Sequence, residues 1–206
     1  MEMRVAEEFT SVEGEGHRAG TPQHFIRLAG CQIGTCPIRT LCDTDYSYRY
    51  SKSIEELAMS ARDAVGASGW VCITGGEPMD QRREIPKLVD EMHRLGLKVA
   101  LQTSGVRDVF FEVDWLVVSP KCAVGDLQQS TGNELKLVWT GLQQDYGTLR
   151  AFYQLTHFTH YFIQPLWNTD GTHNGVEVSD VCLNANKAGC GPWRVSAQSH
   201  KLLGVK

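Results

Sequence analysis

The sequence lacks the long apolar segments that mark membrane and secreted proteins. No uninterrupted apolar run approaches the roughly 20 residues that a membrane-spanning helix needs. The N-terminal stretch MEMRVAEEFTSVEGEGH contains no apolar core of the kind found in secretion signals. We therefore expect a cytoplasmic protein that does not bind membranes.

An excess of positive charge is also missing. The 24 Asp and Glu residues outnumber the 20 Lys and Arg residues, which gives a formal net charge of −4. A broad phosphate-binding surface needs a basic excess, so the composition argues against nucleic acid as a partner.

Nothing in the sequence divides the chain into separate parts. It has no evident repeat, low-complexity tract or Pro/Gly/Ser-rich linker, and 206 residues are typical of one domain. Hydrophobic residues make up 42% of the composition, which is enough for a core. We expect a single domain over residues 1–206.

Short apolar runs alternate with amphipathic segments along the chain. The apolar runs predict strands at 24–28, 70–74, 97–102, 115–118, 135–139, 161–163 and 193–197. Helices are predicted from Ser53 onward and over 83–95, 143–153 and 178–188, with Gly96 ending the second of them.

This alternation predicts an α/β fold with a mostly parallel sheet and helices outside it. A complete eight-unit barrel takes about 250 residues, so an incomplete (β/α) barrel fits this shorter chain better. Five predicted strands have glycine or polar residues just beyond their carboxyl ends. In such folds the chemistry lies at the carboxyl ends of the strands. We expect the active site there.

Three of the seven cysteines, Cys31, Cys36 and Cys42, fall within twelve residues. An odd count in a reducing compartment makes a disulfide framework a poor explanation. Three soft thiolates on one loop suit zinc or an iron–sulfur cluster, but structural zinc usually takes four ligands. A trio fits a four-iron cluster with one open iron, while three free thiols in a turn remain the alternative.

The order of the short motifs resembles that of the radical S-adenosylmethionine (SAM) enzymes, and among these the 7-carboxy-7-deazaguanine synthase family. The resemblance covers nearly the whole chain. It rests on these segments: FTSVEGEG (9–16), FIRLAGC (25–31), CDT (42–44), TGGEP (74–78), TSG (103–105), SPK (119–121), ELK (134–136), QP (164–165) and SAQSHK (196–201).

The resemblance implies an incomplete (β/α) barrel of the radical SAM type and a [4Fe–4S] cluster bound by Cys31, Cys36 and Cys42. One departure is that the cysteine loop reads C-x4-C-x5-C, where the superfamily usually has C-x3-C-x2-C. Arg39 lies three residues before Cys42, so the middle thiolate falls to Cys36. Leu41 replaces the aromatic residue expected near the adenine.

The resemblance also implies a SAM site at the ends of the strands. Glu77 would accept from the methionine ammonium, and the Gly76 backbone would approach the cofactor closely. The residues that the resemblance assigns to SAM are Leu41, Asp43, Gly76, Glu77, Ser104, Ser119, Pro120, Lys121, Gln164, Pro165, Leu166 and Trp167.

For the substrate, the resemblance implies 6-carboxy-5,6,7,8-tetrahydropterin. Arg27, a planar bidentate donor, suits the substrate carboxylate. Thr44 would help to bind a Mg²⁺ ion that bridges to the substrate. The residues assigned to the substrate are Val12, Glu13, Gly14, Glu15, Arg27, Thr74, His200 and Lys206.

The implied reaction is a radical ring contraction to 7-carboxy-7-deazaguanine with loss of ammonia, a step towards 7-deazapurines such as queuosine. The radical comes from the cofactor, and no side chain acts as a nucleophile. An electron donor such as flavodoxin and a homodimer are implied as partners. The alternatives are another radical SAM enzyme, such as an activase, and a non-catalytic zinc-binding relative.

Overall fold

A computed structural model describes residues 2–34, 36–141, 144–168 and 170–206. Its strands are β1 (Glu2–Val12), β2 (Pro22–Leu28), β3 (Tyr50–Ser53), β4 (Trp70–Gly75), β5 (Lys98–Thr103), β6 (Trp115–Val118), β7 (Thr131–Trp139), β8 (His157–Pro165) and β9 (Trp193–Val195). Its helices are α1 (Ile54–Val65), α2 (Ile85–Arg94), α3 (Tyr146–Leu155), α4 (Gly175–Lys187) and α5 (Ser199–Leu203).

The strands form one sheet in the order β3-β1-β2-β4-β5-β6-β7-β8-β9. From β2 through β9 each neighbouring pair is parallel, whereas β1 runs antiparallel to both β2 and β3. The sheet is open, with β3 and β9 at its edges. The predicted incomplete (β/α) barrel is confirmed.

All seven predicted strands form, although several are longer than their apolar runs. The predicted 161–163 strand extends to β8 (His157–Pro165), and 135–139 extends to β7 (Thr131–Trp139). Since β7 and β8 pair with each other along most of their length, hydrogen bonding continues beyond the apolar residues. The predicted 143–153 helix forms as Tyr146–Leu155, and its expected first residue, Gln143, lies outside the described residues.

Helix α1 begins where the sequence predicts. The Ser53 side chain accepts from the Glu56 backbone N–H, and the Glu56 side chain accepts from the Ser53 N–H, which is a reciprocal capping box. Helix α2 ends at Arg94, and Gly96 follows it with φ +79°, a conformation that glycine adopts without strain.

Strands β1 and β3 and the short helix α5 were not predicted. Strand β3 is held to β1 by Glu8, whose carboxylate accepts from Tyr50 (2.9 Å) and Lys52 (2.6 Å). Burial alone would raise the pKa of Glu8, but the His24 ring 3.7 Å away and the hydrogen bonds from Lys52 and Tyr50 lower it to about 2. The two contacts with β3 join residues more than forty positions apart, so no local sequence pattern predicts them.

The main core lies between the sheet and helices α1–α4 and is formed by aliphatic and aromatic side chains. Met79, Leu88 and Ile73 are fully buried in it. In the described part of the chain no helix is long and apolar enough to cross a membrane.

Replacement of Leu88 by alanine tests the packing of α2 on the sheet. Leu88 is fully buried, so we expect Leu88→Ala to lower the free energy of unfolding by about 2–5 kcal/mol. The matched control is Leu183→Ala on α4, where the side chain is 70% exposed and the loss should be within about 0.5 kcal/mol. Urea unfolding followed by circular dichroism measures both, and equal losses would contradict the packing described here.

Candidate active site

A cavity of about 520 Å³ opens at the carboxyl ends of the parallel strands. It is the place where the sequence predicts the site. The predicted residues that line it are Val12, Glu13, Gly14, Glu15, Arg27, Cys31, Cys36, Leu41, Cys42, Asp43, Thr44, Thr74, Gly76, Ser104, Ser119, Lys121, Gln164, Pro165, Leu166, Trp167, His200 and Lys206. Glu77 and Pro120 do not line it; both are buried in the surrounding wall.

The glycine turn after β4 brings two backbones close together. A Cβ atom added at Gly76 would lie 2.3 Å from the Gly30 carbonyl oxygen and 2.6 Å from the Cys31 Cβ atom. No side chain fits in that space. The turn therefore packs directly against the start of the cysteine loop.

The loop that carries the three cysteines is anchored by backbone hydrogen bonds. The Gly30 N–H donates to the Tyr46 carbonyl (2.9 Å), and the Gln32 N–H donates to the Asp80 carboxylate (2.7 Å). Cys31 and Cys36 are half-buried and Cys42 is exposed. Burial raises the pKa of the Cys31 thiol.

The loop supplies the donor set that an iron–sulfur cluster takes, because three free thiols line one cavity wall. They are not drawn together into a chelate. Among the residues that the structure describes, no group of three or more His, Cys, Asp or Glu side chains is close enough to hold a metal ion.

The Glu77 carboxylate is hydrogen-bonded within the protein, and its contact with the methionine ammonium of SAM stays a prediction. One oxygen accepts from the Met79 N–H (3.0 Å) and the Thr103 hydroxyl (2.6 Å), and the other accepts from the Ser104 N–H (2.9 Å). The side chain is 1% exposed. Glu77 thus joins the ends of β4 and β5 from behind the cavity wall.

The SPK turn after β6 directs an ammonium group into the cavity. The Lys121 Nζ atom donates to the Ser119 hydroxyl (2.7 Å) and carbonyl (3.1 Å). Burial lowers the pKa of Lys121. Pro120 is buried and shapes the turn rather than the cavity surface.

The two glutamates of the EGEG segment have different surroundings. Glu13 accepts from the side-chain amides of Gln23 (2.8 Å) and Gln102 (2.9 Å), and burial raises the pKa of its carboxyl. Glu15 pairs with the Lys136 ammonium and accepts from the amides of Gln164 (3.0 Å) and Gln198 (2.9 Å). Burial alone would raise the pKa of Glu15, but Lys136 above all, together with the Gln198 amide, lowers it to about 2.

Arg27 leaves its terminal nitrogens available for a ligand. Its Nε atom donates to Glu7 (2.8 Å), and its two Nη atoms make no hydrogen bond to any described residue. Glu7 also pairs with the ammonium of Lys206. The pKa of Glu7 is lowered because these two cations outweigh the effect of burial.

The C-terminal segment covers the cavity from the side of the N-terminal turn. The backbone N–H and the hydroxyl of Ser199 both donate to the Gly14 carbonyl (2.9 and 3.0 Å). Lys201 pairs with Asp43 of the cysteine loop and lies 5.3 Å from the centre of the Trp167 ring. Burial lowers the pKa of His200.

Sequence reasoning assigned no role to Lys136, Gln102, Gln198 or Gln23, although the first three line the cavity. A usable signal exists for Lys136, since it interrupts the apolar run LKLVW. Gln198 lies within the QSHK segment that carried the resemblance. For Gln23 and Gln102 the sequence holds no comparable signal.

The open, mostly parallel sheet and the cavity lined by a cysteine loop and a glycine turn define the radical SAM class of enzyme architecture. No family model matches the chain. A solved structure titled "Crystal structure of QueE from Escherichia coli" superposes with a TM-score of 0.70 and 25% identity, covering 97% of this chain and 95% of that one.

Curated relatives define the family. Proteins named 7-carboxy-7-deazaguanine synthase are 32% identical in Burkholderia multivorans (over 221 residues) and 31% identical in Bacteroides thetaiotaomicron (over 206 residues), with full coverage of both chains in each case. The chain therefore belongs to the 7-carboxy-7-deazaguanine synthase family. The comparisons give no support to the activase or the zinc-binding alternative.

Gly14 tests the closure of the cavity by the C-terminal segment. A Cβ atom at this position would lie 1.9 Å from the His200 Nδ1 atom, so we expect Gly14→Ala to displace α5. Trypsin cleavage after Lys201, followed by mass spectrometry, should then accelerate roughly tenfold. Gly125→Ala is the control because its added Cβ atom meets nothing within 4 Å; cleavage of both variants at the wild-type rate would contradict the closure.

Proposed function

We propose that this chain converts 6-carboxy-5,6,7,8-tetrahydropterin into 7-carboxy-7-deazaguanine with loss of ammonia, as a radical SAM lyase of 7-deazapurine (queuosine precursor) biosynthesis. One observation carries the proposal. A single cavity brings together the cysteine loop, the glycine turn and the Arg27 guanidinium with the paired carboxylates of the EGEG segment.

Cys31, Cys36 and Cys42 would hold a [4Fe–4S] cluster. When bound, the cluster and SAM would supply the radical chemistry of the reaction. The chain's own contribution is to position these groups. The close packing of Gly76 on Gly30 and Cys31 leaves backbone, without side chains, beside the first thiolate.

The wall beside the cysteine loop would bind SAM. Ser104, Ser119 and Lys121 present hydroxyl and ammonium groups to the cavity, while Leu41 and Trp167 offer apolar surface. Gly76, Asp43, Gln164, Pro165 and Leu166 complete this wall. Gln164 lies where this wall meets the EGEG segment, because its amide donates to Glu15. Glu77 and Pro120 would support it from behind, since the Glu77 carboxylate orients the Ser104 backbone through its N–H.

The part of the cavity surface formed by Arg27, Thr74, the EGEG segment and the C-terminal segment, here called the substrate wall, would bind the pterin. The free Nη atoms of Arg27 offer two parallel donors to a carboxylate, and Thr74 is its register partner on β4. His200 and Lys206 approach from the C-terminal segment, and Val12, Glu13, Gly14 and Glu15 from the N-terminal turn. These side chains and backbone groups include both hydrogen-bond donors and acceptors, so they can match the donors and acceptors on the edge of a flat heterocycle.

Thr44 would contribute to a Mg²⁺ site next to the substrate. Magnesium takes oxygen ligands and retains several waters, so one hydroxyl and a substrate oxygen are a suitable partial set. Thr44 lines the cavity beside Asp43, whose carboxylate pairs with Lys201. An external electron donor such as flavodoxin and a homodimeric assembly complete the proposal and rest on the family alone.

The direct test is an anaerobic assay with the carboxytetrahydropterin, SAM, Mg²⁺ and a reductant. We expect chromatography to detect 7-carboxy-7-deazaguanine from wild-type protein reconstituted with iron and sulfide. Replacing Cys36 by alanine removes one of three thiolates. We expect the iron content and the absorbance near 400 nm to fall in that variant, and the product to disappear.

Cys122→Ala is the matched control, because Cys122 is a half-buried cysteine that does not line the cavity. It should retain iron and activity. A wild-type protein with an intact cluster and no product would overturn the proposed reaction. Full iron content in Cys36→Ala would show that Cys36 is not a cluster ligand. The proposed reaction would then be decided by the assay of the wild-type protein alone.

Arg27→Lys tests the carboxylate clamp. Lysine keeps the charge but loses the planar fork, so we expect KM for the pterin to rise roughly tenfold or more with a smaller change in kcat. Arg94→Lys is the control, since that side chain is 66% exposed on α2. A lower kcat at unchanged KM would contradict a binding role for Arg27.

A further inference from the structure

Lys136 is a buried cation that faces the cavity. It lies on β7, its side chain is 5% exposed, and its ammonium pairs with Glu15. No second hydrogen bond from this ammonium to a described residue is present. A buried ammonium without a carboxylate partner is costly, so the pair determines the charge state of both groups.

Glu15 in turn determines the orientation of two amides. An ionised carboxylate only accepts hydrogen bonds, so Gln164 and Gln198 must both turn their NH₂ groups towards it, as the structure shows. The Gln164 carbonyl oxygen then accepts from the Ser196 hydroxyl (3.3 Å), and the Gln198 carbonyl oxygen is buried without a hydrogen-bond partner among the described residues. A protonated Glu15 could donate, and it would no longer impose that orientation.

The other charged groups around this pair do not replace Lys136. Glu134, on the same strand, accepts from the Trp115 ring N–H (2.6 Å) and from the His17 backbone. Glu13 is a second buried carboxylate, and burial raises its pKa. Other groups interact electrostatically with these carboxylates. They include Lys121 after β6, His200 on α5, Arg18 in the turn after β1, His160 on β8 and Cys72 on β4.

We propose that Lys136 is the positioning residue of the substrate wall: its ammonium holds Glu15 as a carboxylate, and Glu15 holds the amides of Gln164 and Gln198 in one orientation towards the pterin. The part that concerns the pterin rests on the proposed function. The part that concerns Glu15 stands on the contacts alone.

The first test needs no ligand. The carboxyl ¹³C shift of Glu15 is followed by NMR between about pH 5 and about pH 8 in wild type, Lys136→Met and Lys136→Arg. We expect no titration in wild type or Lys136→Arg, because a cation keeps the carboxyl ionised. Lys136→Met should titrate within this range, and an ionised Glu15 throughout would overturn the proposal.

The second test measures binding of 6-carboxypterin, the oxidised and unreactive counterpart of the substrate, to the reconstituted protein by pterin fluorescence. We expect Lys136→Met to bind roughly tenfold more weakly at about pH 6 and to recover towards about pH 8, where Glu15 ionises again. Wild type, Lys136→Arg and the exposed control Lys187→Met should stay within about threefold of each other. A loss independent of pH would indicate a merely structural role and overturn the proposal.

If the Lys136→Met protein does not fold, a double variant provides the test. Glu15→Gln/Lys136→Met buries no unpaired charge. Its affinity should match that of Glu15→Gln alone if Lys136 acts through Glu15. Additive losses would overturn that mechanism. Failure of the wild-type protein to bind 6-carboxypterin, together with an NMR titration that behaves as expected, would overturn the proposed substrate and support the ionisation of Glu15 by Lys136.

Discussion

The ion pair between Glu15 and Lys136 lies at the cavity and, through the two amides that donate to Glu15, connects four parts of the chain. Glu15 lies in the turn between β1 and β2, and Lys136 lies on β7. The amides that donate to Glu15 come from Gln164 on β8 and from Gln198 at the start of α5. An open parallel sheet leaves the carboxyl ends of its strands uncovered. Here, charge pairing brings the N-terminal turn and the C-terminal segment over that end.

The closure depends on backbone contacts as much as on charge. Ser199 binds the Gly14 carbonyl, and Gly14 has no room for a side chain beside His200. On the other wall, Gly76 packs against Gly30 in the same way. Both glycines therefore lie where two segments of the cavity wall meet, which explains the need for glycine at these two positions of the EGEG and GGEP segments.

Local residues determine several elements, which made these predictable. They are the strands formed by apolar runs, the beginning of α1 at Ser53 and the end of α2 before Gly96. Strands β1 and β3 were not, since Glu8 and its partners on β3 become meaningful only after distant residues pair. The location of the cavity followed from the strand ends. The hydrogen bonds that Glu77 accepts within the protein could not be predicted in this way, because their three donors come from two separate segments.

Burying a charged pair beside a substrate wall contributes little to stability, because the desolvation of both ions offsets much of their attraction. The gain lies in specificity. A pterin edge presents donors and acceptors in a fixed order, and an amide recognises that order only if its N–H and C=O ends cannot exchange. By keeping Glu15 ionised, Lys136 removes that freedom from Gln164 and Gln198 at once.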